Sequence, residues 1–169
     1  MMFIINKSRL QKVFLLLIVI LLSLSATGCF GMPSEPKGWP GTSVSGDTLY
    51  TGSMKGKVFA LDIITKVKEW EFPPGEKQTI GATYGTPAID DGVIYIGTYE
   101  GKVYALDAAM GTKKWEYPVD GHIGSIVSSP LVALDTVFLG SSDGYLYALR
   151  CADGEELWKF KTGSKVWST

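Results

Sequence analysis

Gly46-Asp47-Thr48-Leu49-Tyr50-Thr51-Gly52-Ser53-Met54-Lys55-Gly56-Lys57-Val58-Phe59-Ala60-Leu61-Asp62 decides how the rest of the chain is read, because the same pattern returns over residues 91–107 and 134–150. Gly52, Gly97 and Gly140 correspond, as do Gly56, Gly101 and Gly144. So do Ala60-Leu61, Ala105-Leu106 and Ala148-Leu149, and Trp70, Trp115 and Trp158. From the first to the second member of each set is 45 residues, and from the second to the third 43. Self-similarity at a fixed period of this length marks a repeat architecture.

Each block carries its own local logic. Leu49-Tyr50, Ile94-Tyr95 and Val137-Phe138 precede the first glycine, and Val58-Phe59, Val103-Tyr104 and Leu146-Tyr147 follow the second. These β-branched and aromatic residues are what strands favour. The turns between them end Lys55-Gly56, Glu100-Gly101 and Asp143-Gly144, where glycine supplies the positive φ of a tight hairpin. A second turn follows at Gly111 and Gly154, with Lys66 in the same position of the first block. Beyond it, Lys68 to Phe72, Lys114 to Tyr117 and Leu157 to Phe160 alternate apolar and polar residues, as half-buried strands do. Gly85-Thr86-Pro87-Ala88-Ile89 and Ser128-Ser129-Pro130-Leu131-Val132 each add a short strand entered through proline, where the missing N–H does least harm. Four strands per repeat predict an all-β protein of four-stranded antiparallel blades, a β-propeller.

The pattern Ala-Leu-Asp, a glycine turn and then tryptophan eight residues after the aspartate, as in Ala105-Leu106-Asp107 through Gly111 to Trp115, resembles the pyrroloquinoline-quinone-type (PQQ-like) propeller repeat. A repeat of the WD type would place aspartate after the tryptophan, whereas Glu71, Glu116 and Lys159 stand there. The resemblance covers residues 41–169, with Arg150 in place of the aspartate in the third block. About three blades are expected here, fewer than the roughly four to eight that close a propeller. The lead-in of a fourth is visible at Lys161 to Thr169, so these repeats are expected to be an incomplete part of a seven- to eight-bladed ring, as in a truncated product or fragment.

Ahead of the repeats, Lys7, Arg9 and Lys12 precede Val13 to Leu24, twelve residues apolar except for Ser23, and then Ser25-Ala26-Thr27-Gly28-Cys29. A charged start, a short apolar core and a small-residue exit make residues 1–28 an export signal. A membrane-spanning helix would need about 20 apolar residues. The residues before Cys29 resemble a bacterial lipoprotein signal, although Ala26 stands where that family more often has Leu or Val. The resemblance implies that Cys29 is lipidated and anchors the exported chain to the cell envelope. Phe30 in place of aspartate implies the outer membrane where there is one, facing the periplasm, and otherwise the outer face of the cytoplasmic membrane. Residues 29–40 carry three prolines and two glycines between Phe30 and Pro40 and read as an extended tether.

Removing the signal takes three of the 16 basic residues and none of the 17 acidic ones, leaving a balance of −4. Such a surface gives no electrostatic reason to expect nucleic acid as a partner. Cys29 and Cys151 are the two cysteines, and a lipidated Cys29 leaves no disulfide framework. His122 is the single histidine, set in a glycine-flanked connection, and reads as a surface residue rather than a base or ligand. Asp90-Asp91, Asp107 and Asp153 read as turn carboxylates, since calcium would want about six to eight converging oxygens. Cys151 stands where the preceding blade has Ala108, which is a place for a small residue. Tyr50, Tyr95, Phe138, Phe59, Tyr104 and Tyr147 recur at fixed strand positions and read as blade packing.

With no catalytic set in view, the expected function is that of a non-catalytic, lipid-anchored envelope scaffold binding other envelope proteins. No cofactor is expected. A lipoprotein signal followed by PQQ-like blades is similar in layout to the family of outer-membrane barrel-assembly lipoproteins, which implies a part in outer-membrane protein assembly. The alternative is a fragment of a quinoprotein dehydrogenase, which would bring PQQ and calcium as cofactors. The longest irregular segments, Pro73 to Tyr84 and Pro118 to Val127, are the candidate partner-binding loops, the other reading of each being a passive connection between blades.

Overall fold

Twelve strands form three separate four-stranded antiparallel sheets in the computed structural model, which describes residues 40–168. The segment expected to be an export signal, Cys29 and nearly all of the expected tether lie outside the described residues. The first sheet is built of β1 (Thr42–Ser45), β2 (Thr48–Gly52), β3 (Val58–Asp62) and β4 (Lys68–Phe72). The second takes β5 (Ala88–Asp90), β6 (Val93–Gly97), β7 (Val103–Asp107) and β8 (Lys113–Tyr117). The third takes β9 (Leu131–Ala133), β10 (Thr136–Gly140), β11 (Tyr145–Arg150) and β12 (Glu156–Lys161). Strands pair in chain order within each sheet, and among the short first strands β5 approaches both β1 and β9. This is the blade arrangement of a propeller, with the first strands as the inner ring.

The short strands follow their prolines as expected, since β5 begins just after Pro87 and β9 just after Pro130. The same irregularity also recurs in every blade, a register shift between the third and fourth strands at Ala60/Leu61, Ala105/Leu106 and Ala148/Leu149. A bulge adds local twist to its strand, and its repetition gives the three sheets one shape.

The core lies between sheets. Ile94, Ile96 and Leu106 pack with Tyr50, Val58, Ala60 and Ile80 toward the first sheet. Tyr95, Val103, Ala105 and Trp115 pack with Val137, Leu139, Tyr147 and Leu149 toward the third. The alternation Ile94-Tyr95-Ile96 in β6 serves both neighbours, because successive strand side chains point to opposite faces. The middle sheet is therefore covered on both sides, and β6 is buried from Ile94 to Gly97.

Candidate functional site

Three features repeat from blade to blade and define the surfaces this fold can offer: an aromatic row, a turn that receives it, and a rim of turns and connections. The row begins with register. Ala60 lies opposite both Tyr50 and Trp70, Ala105 opposite Tyr95 and Trp115, and Ala148 opposite Phe138 and Trp158. The small alanine lets the two flanking rings meet above it, with centroids 5.9, 5.8 and 5.7 Å apart in the three blades. The packing role read for Tyr50, Tyr95 and Phe138 from their spacing is what these contacts show.

The receiving turn belongs to the next blade. The Trp70 indole N–H donates to the carbonyl of Ala108 at 3.0 Å, and the Tyr50 hydroxyl donates to the same oxygen at 3.2 Å. One blade on, the Trp115 indole donates to the carbonyl of Cys151 at 2.8 Å, with the Tyr95 hydroxyl at 3.5 Å. Cys151 thus matters through its main chain, and the small residue expected there leaves room for the rings. Burial pushes its thiol above the ordinary range, against an opposing hydrogen bond from Tyr95. Each ring also lies flat against a glycine. A Cβ added at Gly111 would stand 2.5 Å from Trp70, and one at Gly154 would stand 2.6 Å from Trp115. Both glycines also have positive φ, 66° and 76°, so space and backbone both select glycine there.

The rim is built where the hairpin turns meet the inter-blade connections. Ile80 and Thr83 donate main-chain N–H groups to Gly56 and Ser53 of the first blade, while Tyr99 of the second donates to Ala82. Ile123, Ile126, Ser125 and Ser142 repeat this pattern one blade further on. Each candidate loop therefore has two parts. Its second half is a strap joining two blades, with Ile80, Thr83 and Ile126 buried, and only a short lip projects, residues 74–79 in one loop and 119–122 in the other. Lysines hold the roots. The Lys57 ammonium donates to the carbonyls of Pro73 and Gly75, and Lys102 to those of Pro118 and Val119.

The rim also holds an open cleft of about 290 Å³ lined by Tyr84, Tyr99, Ser125, Val127, Lys165 and Trp167 among others. The Tyr84 and Tyr99 rings lie 5.4 Å apart, and the Lys165 ammonium sits 5.4 Å from the centre of the Trp167 ring. An adjoining hollow of about 410 Å³ includes His122, which is exposed and has Nδ1 3.2 Å from the Ile123 carbonyl. Aromatic and polar groups line this edge, with Lys165 in the cleft and Glu100 in the adjoining hollow. The cleft was not legible in the sequence, because its residues come from five separate stretches of the chain and none is distinctive alone.

The carboxylates singled out in the sequence do not come together. Asp107 Oδ1 accepts the N–H groups of Ala109 and Met110, closing its own turn, and Asp62 does the same for Ile64 and Thr65. These hydrogen bonds, that of Thr65 first, hold the Asp62 carboxyl below its ordinary range. Asp153 pairs with Arg150 at 3.0 Å. Among the described residues no three His, Cys, Asp or Glu side chains converge as metal ligands would.

Fold and repeated joints together define a propeller of the PQQ-like repeat class. The family model for outer membrane protein assembly factor BamB matches residues 26–168, and the chain belongs to that family. BamB from Moraxella catarrhalis superposes with a TM-score of 0.59 at 25% identity, covering 73% of this chain and 37% of that one. A europium-containing methanol dehydrogenase gives 0.60 at 26% identity, over 70% of this chain and 24% of that one. The designed protein Ika4 gives 0.65 at 16% identity, over 80% and 81%, a likeness of fold alone. The chain thus spans well under half the length of the two natural proteins. No curated protein matches its sequence.

Proposed function

We propose that this chain is part of a non-catalytic, lipid-anchored envelope scaffold whose propeller rim binds protein partners during outer-membrane protein assembly. The family match over residues 26–168 carries this reading. The rim supports it, since the blades hold there a cleft lined by polar and aromatic side chains together with two projecting lips, and loops on a rigid scaffold are favoured places for recognition. In this reading residues 1–28 direct export, Cys29 bears the lipid and residues 29–40 hold the blades off the membrane. Stable anchoring needs more than one acyl chain, each buried CH₂ adding about 0.8 kcal/mol.

The test uses the full chain in a bacterial host. Cys29→Ala is expected to block processing or shift the chain from the membrane to the soluble fraction. Replacing Glu76-Lys77-Gln78 with Gly-Ser residues is expected to reduce crosslinked partners while circular dichroism stays unchanged. Unaltered membrane pelleting together with unaltered crosslinks would overturn the proposal.

Likeness to the methanol dehydrogenase favours a second reading, a piece of a quinoprotein dehydrogenase using PQQ and calcium. The donor set among the described residues does not fit a calcium site, since no carboxylates converge there. Dye reduction with alcohols after adding PQQ and calcium distinguishes the two, and reproducible turnover would replace the scaffold reading.

A further inference from the structure

The three receiving turns share one backbone and differ in what their side chains allow. Lys66, Gly111 and Gly154 donate N–H groups to Asp62, Asp107 and Arg150, and Ile63, Ala108 and Cys151 donate to Asp47, Gly92 and Asp135. Their φ angles are 60°, 66° and 76°. A side chain at the Lys66 position therefore starts where a Cβ at Gly111 would stand 2.5 Å from a docked indole. Ile63 adds bulk where Ala108 and Cys151 leave room, and it is 45% exposed on the outer face of the first blade. At the other end, Trp158 holds the docking position of the third blade. It is 46% exposed, against 7% for the docked Trp115, and Phe160 beside it is 63% exposed.

We infer that the two outer faces of this three-blade unit are not complementary. The Trp158 face accepts a blade of the same repeat whose turn reads small residue, any, any, glycine, while Ile63 and Lys66 bar the first blade from receiving any such tryptophan. The two joints within the molecule argue for that occupant, since Trp158 continues their geometry. They argue equally against a second copy seated head to tail, because the one uncovered turn of this kind among the described residues is Ile63-Ile64-Thr65-Lys66. Whatever packs on the first blade therefore does so without a docked indole. The inference is independent of the proposed function.

Self-association of the full chain measured by sedimentation tests this. Ile63→Ala with Lys66→Gly opens the turn at two surface positions, and glycine takes the φ of 60° without penalty. The double variant is expected to self-associate at least about tenfold more tightly than the parent. Adding Trp158→Ala should abolish that gain, and Trp158→Ala alone should leave the parent unchanged. Amide exchange confirms that the sheets persist in each variant. Parental self-association that itself depends on Trp158, or no gain in the double variant with its sheets intact, would overturn the inference.

Discussion

Trp115 and Trp158 occupy the same strand position, yet one is roofed by Gly154 and the other by nothing among the described residues. Trp115→Ala is therefore expected to cost about 3–5 kcal/mol, the range for a buried aromatic. Trp158→Ala should cost less than about half of that in the same urea titration, and equal costs would contradict the packing described. Protons report on the joint between the second and third blades. Burial first, and then hydrogen bonds to Glu156 and Asp143, push the Tyr117 and Tyr147 hydroxyls well above the ordinary tyrosine range. The folded chain then keeps protons that the unfolded chain loses near 10, so stability present below that pH falls as pH rises above it. Melting temperatures between about pH 8 and 11 should drop most steeply past about 10. Tyr117→Phe combined with Tyr147→Phe should flatten that drop, and an unchanged slope would remove these two groups as its source.

Element by element, the strands, their prolines and the hairpin turns could be read from one sequence, because each is set by residues close in the chain. The exceptional Lys66 was legible too, and it does adopt a positive φ. The joints were not, because each tryptophan meets an acceptor 38 or 36 residues away that is a main-chain carbonyl, which no side-chain identity reports. Departures from the repeat find local replacements. Arg150 lacks the carboxylate that caps the turn in the other blades and pairs instead with Asp153 and Glu155. Being exposed, these pairs contribute little to stability, and less in salt. Tyr145 stands where Lys57 and Lys102 root the connections, and Lys159 lies 5.9 Å from its ring centre in place of a glutamate. Lys102→Met, which keeps the aliphatic stem, should therefore speed amide exchange at Ile123 and Ile126, while Lys159→Met leaves those amides unaffected. Equal exchange in both variants would show that the lysine does not hold the strap.

For the molecule as a whole, stability resides between sheets, so the middle blade shares in two cores and each outer blade in one. In such stacked architectures stability approximates a sum of unit and nearest-neighbour terms. Amide exchange should then be slowest in β6 and β7, and slower exchange in β2 or β10 would refute that ordering. The joints also have a direction in time. Every docked tryptophan precedes its glycine along the chain, Trp70 before Gly111 and Trp115 before Gly154. A chain emerging N-terminus first, from a ribosome or a translocation channel, exposes each indole until some forty further residues have followed it out. The newest blade is always the sticky one, and it is capped by the next arrival.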